Sequence, residues 1–161
     1  MVPIAFSVGS ALTALVGRSV GASDWATARR IAWLGGLMAL AASGFIGISV
    51  ALLAPVLTPL ATSDPQVAAI AAQALGYTGF AFGGFGLGMA MYFASMGAGR
   101  MVWPIAASLS RIGLAAGGGW WLARYTSLGI EGHFLGVALG IGAYGLITAS
   151  GVRAGVWRAR P

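Results

Sequence analysis

Pro65–Gly99 reads PQVAAIAAQALGYTGFAFGGFGLGMAMYFASMGAG, 35 residues without an Asp, Glu, Lys, Arg or His. A helix crosses the hydrocarbon core of a bilayer with about 20 apolar residues, whereas a helix on a water-soluble core must keep one polar face. This stretch is too long and too apolar for the second role. Upstream lies Ile31–Ser63, another 33 residues free of charge. Downstream, Met101–Ala123 carries a single charge, Arg111. Such runs define an integral membrane protein.

Composition agrees. Of the 161 residues, 58% are hydrophobic and 7% charged, against roughly 25% charged in a soluble domain. The 27 glycines suit helices that pack backbone to backbone in lipid. With no Cys, disulfides and thiolate metal sites are excluded. The net charge of +6 comes from nine Arg and no Lys. In a soluble chain that balance would suggest nucleic acid as a partner. Here the arginines stand at the ends of apolar runs and report topology instead, so no nucleic-acid partner is expected. Met1–Val16 has no basic leader and runs into a second hydrophobic segment, so it is not expected to be a cleaved signal peptide.

The expected fold is an all-α, polytopic membrane helix bundle forming a single transmembrane domain over residues 1–161, with about five spans. These are roughly Val2–Gly17, Ile31–Leu57, Pro65–Ser95, Val102–Ala123 and Phe134–Val152. Arg18, Arg29, Arg30, Arg100, Arg153, Arg158 and Arg160 fall on one side, and Arg124 alone on the other with Asp64, Glu131 and His133. By the positive-inside rule the Arg-rich side is cytoplasmic. The N-terminus is therefore expected outside and the C-terminus inside, in the cell's inner (plasma) membrane.

Local signals place the helix ends. Ser63-Asp64-Pro65 predicts a helix start, with Asp64 or Ser63 capping free N–H groups and Pro at the first helical position. Ser23-Asp24 predicts a second cap, with Trp25 at the interface. Pro55 and Pro59 predict a kink or a break into a short outer helix. Trp120, Trp121 and Tyr125 form an expected outer aromatic belt, and Trp103 and Trp157 an inner one. Gly83, Gly84, Gly86 and Gly88 fall within six positions of the third span. Glycine costs ~1 kcal/mol in a helix interior relative to Ala, so the cluster implies tight packing, or else a hinge in the flexible wall of a substrate cavity. Gly132, Gly136 and Gly140 repeat G-x-x-x-G on one face of the fifth span and predict packing against a neighbouring helix.

Three stretches together resemble the multidrug and toxic compound extrusion (MATE) family of efflux transporters. Leu15–Arg30, LVGRSVGASDWATARR, is similar to the family's cytoplasmic connection between two helices of a lobe. Thr62–Ala72, TSDPQVAAIAA, is similar to the outer-side start of the following helix. Met96–Pro104, MGAGRMVWP, is similar to the next connection and is followed by Ser108-Leu109-Ser110-Arg111. The resemblance implies a fold of twelve helices in two lobes of six. The inside, Arg-rich end then matches this chain to helices eight to twelve, a partial second lobe that lacks its N-terminal partner lobe.

The resemblance also implies a function: part of a multidrug efflux transporter that exports cationic or amphipathic small molecules by cation-coupled antiport, and not an enzyme. The alternatives are a lipid-linked oligosaccharide flippase of the same superfamily and a non-transporting membrane remnant or assembly subunit. No cofactor or metal site is expected. Na⁺ or H⁺ is the implied coupling ion, yet its site is not visible, because coupling needs an embedded acid and Asp24, Asp64 and Glu131 all read as loop residues. His133 reads as a solvated loop residue. The candidates for the substrate cavity are Gln73, Tyr77, Phe82, Phe85, Met89, Tyr92 and Arg111, since Met and aromatic side chains accommodate varied cationic ligands; the Met and aromatic stripe reads equally as a lipid-facing or helix-packing face. Arg111 falls near mid-membrane. It either snorkels to the inner surface past Ser108 and Ser110 or bonds across helices.

Overall fold

The computed structural model describes residues 2–153 and Trp157, and among them every regular element is helical. Five rods follow in chain order: α1 (Val2–Gly21), α2 (Trp25–Ala61), α3 (Pro65–Gly97), a fourth described below, and α6 (Ile130–Arg153). The fourth comprises α4 (Val102–Gly113), a π-helical turn (Leu114–Gly118) and α5 (Gly119–Tyr125). Backbone angles stay helical through both junctions, φ −59°, ψ −45° at Gly113 and φ −62°, ψ −45° at Gly119, so the rod is continuous. Three of the helices, α2, α3 and α6, are each long and apolar enough by themselves to cross a membrane. The molecule is an all-α membrane bundle.

The helices outrun the spans read from charge. α2 begins at Trp25, so Arg29 and Arg30 lie inside it, and α1 takes in Arg18. Charge marks where lipid stops, whereas capping marks where a helix stops. The Asp24 carboxylate accepts from Thr27 N at 2.9 Å and opens α2. Asp64 accepts from Gln66 N at 2.8 Å and Val67 N at 3.4 Å and opens α3, with Pro65 at its first position. At the other end of α3, Gly99 takes φ +64°, a left-handed conformation that glycine adopts without a Cβ penalty. α6 also starts early, so Glu131 and His133 belong to its first turns rather than to a loop. The expected break at Pro55 or Pro59 is absent: α2 runs on to Ala61 with both prolines inside.

α3 is the central rod, in contact with α1, α2 and α6. It meets α2 along small residues on both sides. Ala39, Ser43, Gly47 and Ala51 are buried at every fourth position of α2, facing Gly79, Gly83 and Gly86 of α3. α6 packs on the other side of α3 and, through Gly132, Gly136 and Gly140, against the fourth rod at Leu122, Gly119 and Ala115. Without a hydrophobic drive between helices in lipid, close van der Waals approach is what holds such seams together. Polar side chains add to it: Thr13 Oγ1 donates to the Phe93 carbonyl at 3.0 Å, linking α1 to α3.

At the Arg-rich end of the bundle, Val16, Ala28, Ala32, Met91, Ala94, Ala98, Ala149, Val152 and Trp157 form one cluster. Trp157 is 1% exposed, so it fills this core rather than joining an inner aromatic belt. Its ring supplies the volume that the surrounding alanines leave open. Trp103 is 37% exposed and rests against Gly151. Trp25 sits under the Arg100 guanidinium, 5.7 Å from its ring centroid. At the opposite end Trp120, Trp121 and Tyr125 are exposed, and both tryptophan rings contact Tyr125 with centroids 6.1 Å apart.

Candidate functional site: two faces of the α3–α6 seam

Six of the seven candidate cavity residues lie on α3 and the seventh on α4, and the structure does not bring all seven together. Six of them separate onto two sides of the seam where α3 meets α6, and Phe82 turns towards α2.

Gln73 and Tyr77 occupy one side. With Gly76, Phe80, Leu135 and Ala138 they line a groove of about 440 Å³. The Tyr77 hydroxyl donates to Glu131 Oε2 at 2.8 Å, and the Tyr77 and Phe134 ring centroids are 6.5 Å apart. From Tyr77 to the inner end of α3 at Gly97 the helical rise is ~30 Å, one hydrocarbon thickness. The Tyr77–Glu131 pair therefore stands one such thickness from the Gly97 end of α3. A carboxylate at that depth is tolerable because the phenol satisfies one of its oxygens.

Phe85, Met89 and Tyr92 follow at i, i+4 and i+7, one face of a helix, and each is half-buried. This face meets α6 at Tyr144, which is 3% exposed. The Tyr144 hydroxyl points at the Met89 sulfur, 3.7 Å away, and its ring packs against the backbone of Gly88. Tyr92 stands edge-on to Phe93, centroids 5.7 Å apart. Phe82 is turned further round α3 towards α2, where a Cβ on Gly47 would come within 2.6 Å of its own Cβ.

Arg111 completes this second group. Its guanidinium carbon lies 5.3 Å from the Tyr144 ring centroid, and the side chain also lines a groove of about 340 Å³ with Ile112, Ala115, Ala116, Val137 and Ile141. The Arg111 carbonyl is level with Gly140, so its head reaches about one turn towards the inner side. That direction is dictated by the helix, since Cβ bonds tilt towards the N-terminus, here the inner end. The head lies against Tyr144, ~14 Å by helical rise from Arg153. Ser108 and Ser110 donate to the Pro104 and Ala106 carbonyls of their own helix at 2.9 Å each.

The glycine cluster of α3 divides between partners. A Cβ on Gly83 would lie 3.4 Å from Gly44 Cα, and one on Gly86 2.6 Å from Ser43 Cβ, both on α2. One on Gly84 would lie 3.2 Å from Gly142 Cα, and one on Gly88 would enter the Tyr144 ring, both on α6. All four stand in uninterrupted helix.

Two residues escaped the sequence reading. Tyr144 is the one aromatic hydroxyl in α6, and that isolation was its only signal. Glu131 reads as a loop residue by sequence, although its place two residues after Gly129, at φ +52°, is that of a helix start. Among the described residues no three His, Asp or Glu side chains gather as they would around a metal.

Apolar rods, small-residue seams and a half-buried polar face around Arg111 define a polytopic α-helical membrane protein. The chain matches the MatE family model over residues 1–121. It belongs to that family and is a membrane transporter of the MATE superfamily, whose members are transporters rather than enzymes. No curated protein and no solved structure shows significant similarity to it.

Proposed function

We propose that this chain is part of a multidrug efflux transporter of the inner (plasma) membrane, exporting cationic or amphipathic compounds by cation-coupled antiport. The observation that carries the reading is the face formed by Phe85, Met89, Tyr92 and Tyr144. It joins flexible thioether and aromatic surface, which adapts to many ligand shapes, to a family of transporters. In this reading the face is one wall of the substrate cavity, and an N-terminal lobe supplies the other. The lipid bilayer and small-molecule substrates are its remaining partners. The N-terminus is outside and the C-terminus cytoplasmic, from the distribution of arginines. Na⁺ or H⁺ drives export, held by an acid of the transporter other than Asp24 and Asp64, which are occupied as helix caps.

A lipid-linked oligosaccharide flippase is the second reading, favoured only by Arg111. A pyrophosphate-bearing substrate calls for several basic groups, and this face has one, so efflux is the better fit. The test is transport of a fluorescent organic cation in proteoliposomes of the complete protein under an imposed Na⁺ or H⁺ gradient. Gradient-dependent export supports the proposal. Absence of export together with movement of a lipid-linked sugar would replace it with the second reading.

A further inference from the structure

α1 and α2 leave an open groove of about 590 Å³ between them, walled from Ser7 to Leu15 on α1 and from Ile31 to Met38 on α2. Leu12, 4% exposed, forms its floor. A Cβ on Gly35 would run into the Leu12 side chain, so the bare glycine is what lets Leu12 lie on the α2 backbone. Leu15, Leu34 and Met38 stand up at the sides, 50%, 55% and 69% exposed.

The length of the groove fits one leaflet. Ser7 to Leu15 is ~12 Å of helical rise, and half of the ~30 Å hydrocarbon core is ~15 Å. α2 continues from Met38 to Ala61, ~35 Å of further rise, outside the groove. A partner helix would follow α2 across the whole core, whereas the acyl chain of a lipid stops near its middle.

The mouth of the groove, at the α1–α2 turn, is basic. Leu12 is level with Gly35. From that contact Arg18 lies six residues on along α1 and Arg30 five residues back along α2, ~9 Å and ~8 Å of rise, so the two stand at one depth. Ser7, Ala11, Leu15 and Arg18 follow at i, i+4, i+8 and i+11 on one face of α1, and the tilt of helical Cβ bonds leans Arg18 back over Leu15. Arg30 is one turn before Leu34 on α2. Both arginines are exposed. Asp24, the acid at this end of the bundle, is turned to Thr27 N as a helix cap. Basic pockets between transmembrane helices hold anionic lipid head groups, and a guanidinium fork matches two oxygens of a phosphate.

We propose that the α1–α2 groove is a binding site for one anionic phospholipid, with its phosphate between Arg18 and Arg30 and an acyl chain along Leu15, Leu34 and Met38. The site is independent of what the transporter carries, since it opens away from the α3–α6 seam. A lipid that binds only the folded protein also stabilises it.

The test titrates the complete purified protein in detergent with dioleoyl phosphatidylglycerol or dioleoyl phosphatidylcholine, which share acyl chains and differ in net charge. Retained lipid is counted by native mass spectrometry. The wild type is expected to hold the anionic lipid about twenty-fold more tightly. Arg18→Gln and Arg30→Gln should each weaken it about five-fold, the weight of one arginine beside an anionic head group, and leave the zwitterionic lipid within about two-fold. Arg18→Lys and Arg30→Lys keep the charge and should keep most of the preference, which preserves the comparison if a Gln variant does not fold. Ala11→Phe, at an exposed position in the groove, should lower retention of both lipids. Arg124→Gln, at the opposite end of the bundle, should change neither. Equal retention of the two lipids by the wild type would overturn the proposal, and so would equal loss of both in the Arg→Gln variants. A preference that survives the double Arg18→Gln, Arg30→Gln change would also overturn it, leaving only diffuse attraction. Retention indifferent to Ala11→Phe would refute the groove as the seat of the acyl chain. Failure to retain either lipid would overturn the site and leave the groove to another segment of the transporter.

Discussion

Adding one methyl group at Gly86 should loosen the bundle, while the same methyl at Gly76, ten residues earlier on the same helix, should not. A Cβ on Gly86 would lie 2.6 Å from Ser43 Cβ and press on the Ala39 carbonyl, whereas a Cβ on Gly76 meets nothing within 4 Å. Both changes gain ~1 kcal/mol of helix propensity. Only Gly86→Ala adds an overpacking penalty of ~1–3 kcal/mol, because backbone on α2 must move. Propensity cancels in the comparison, so the two variants should differ by ~1–3 kcal/mol, with Gly76→Ala equal to or above the wild type. Reversible unfolding in mixed detergent micelles measures the difference. Equal stabilities would refute a close α2–α3 approach. Gly→Leu at Gly83, Gly84, Gly86 and Gly88 then separates the two roles open to the cluster. Stability lost at constant transport per folded molecule means packing, and transport lost at retained stability means a hinge.

Ser23 holds φ +60° between α1 and α2, a conformation costing a non-glycine residue ~1–2 kcal/mol, so Ser23→Gly should stabilise the protein in the same unfolding assay. The Asp24 carboxyl is held below its ordinary pKa of 3.8 by hydrogen bonds from Thr27. Its contribution is present in full above that value and fades as pH falls through the depressed one. Asp24→Ala should therefore lower stability at pH 7 and lose its effect in strong acid; a deficit that persists in acid would show that the cap is not the cause. Tyr77→Phe and Glu131→Gln should each destabilise the outer end, and the double variant should cost less than the sum; additive losses would refute the Tyr77–Glu131 bond. Ser63→Cys should be labelled by an impermeant maleimide on intact cells and Pro161→Cys only after permeabilisation, and labelling of Pro161→Cys from outside would invert the topology.

Much of the architecture was legible because lipid imposes a single strong rule. A backbone in hydrocarbon must satisfy its own hydrogen bonds, so long apolar runs are helices. The caps at Asp24 and Asp64 were legible for an equally local reason, since the side chain bonds N–H groups two or three residues away. Boundaries slipped where that rule ends. Charge at Arg29 and Arg30 closed the apparent span, yet the helix runs through both. Pro55 and Pro59 announced a kink or a break by local preference, and the helix runs on through both without a break. Trp157 looked like an interfacial anchor by type and position, but the alanine-lined inner core had room for it.

The sequence by itself determined that this is an all-α membrane transporter of the MATE superfamily, since span length, the absence of charge and three motifs in register are properties of the chain read in order. Tertiary structure alone decided which candidates share a site. Gln73 and Tyr77 belong with Glu131, while Met89 and Tyr92 belong with Tyr144 and Arg111, although all four α3 residues lie within 20 positions. The physical reason is angular. Successive side chains are ~100° apart around a helix, so which of them face a cavity depends on where α2 and α6 dock against α3. That docking is set by glycines whose partners are 28 to 61 residues away in the chain, a distance over which the order of residues carries no directional information.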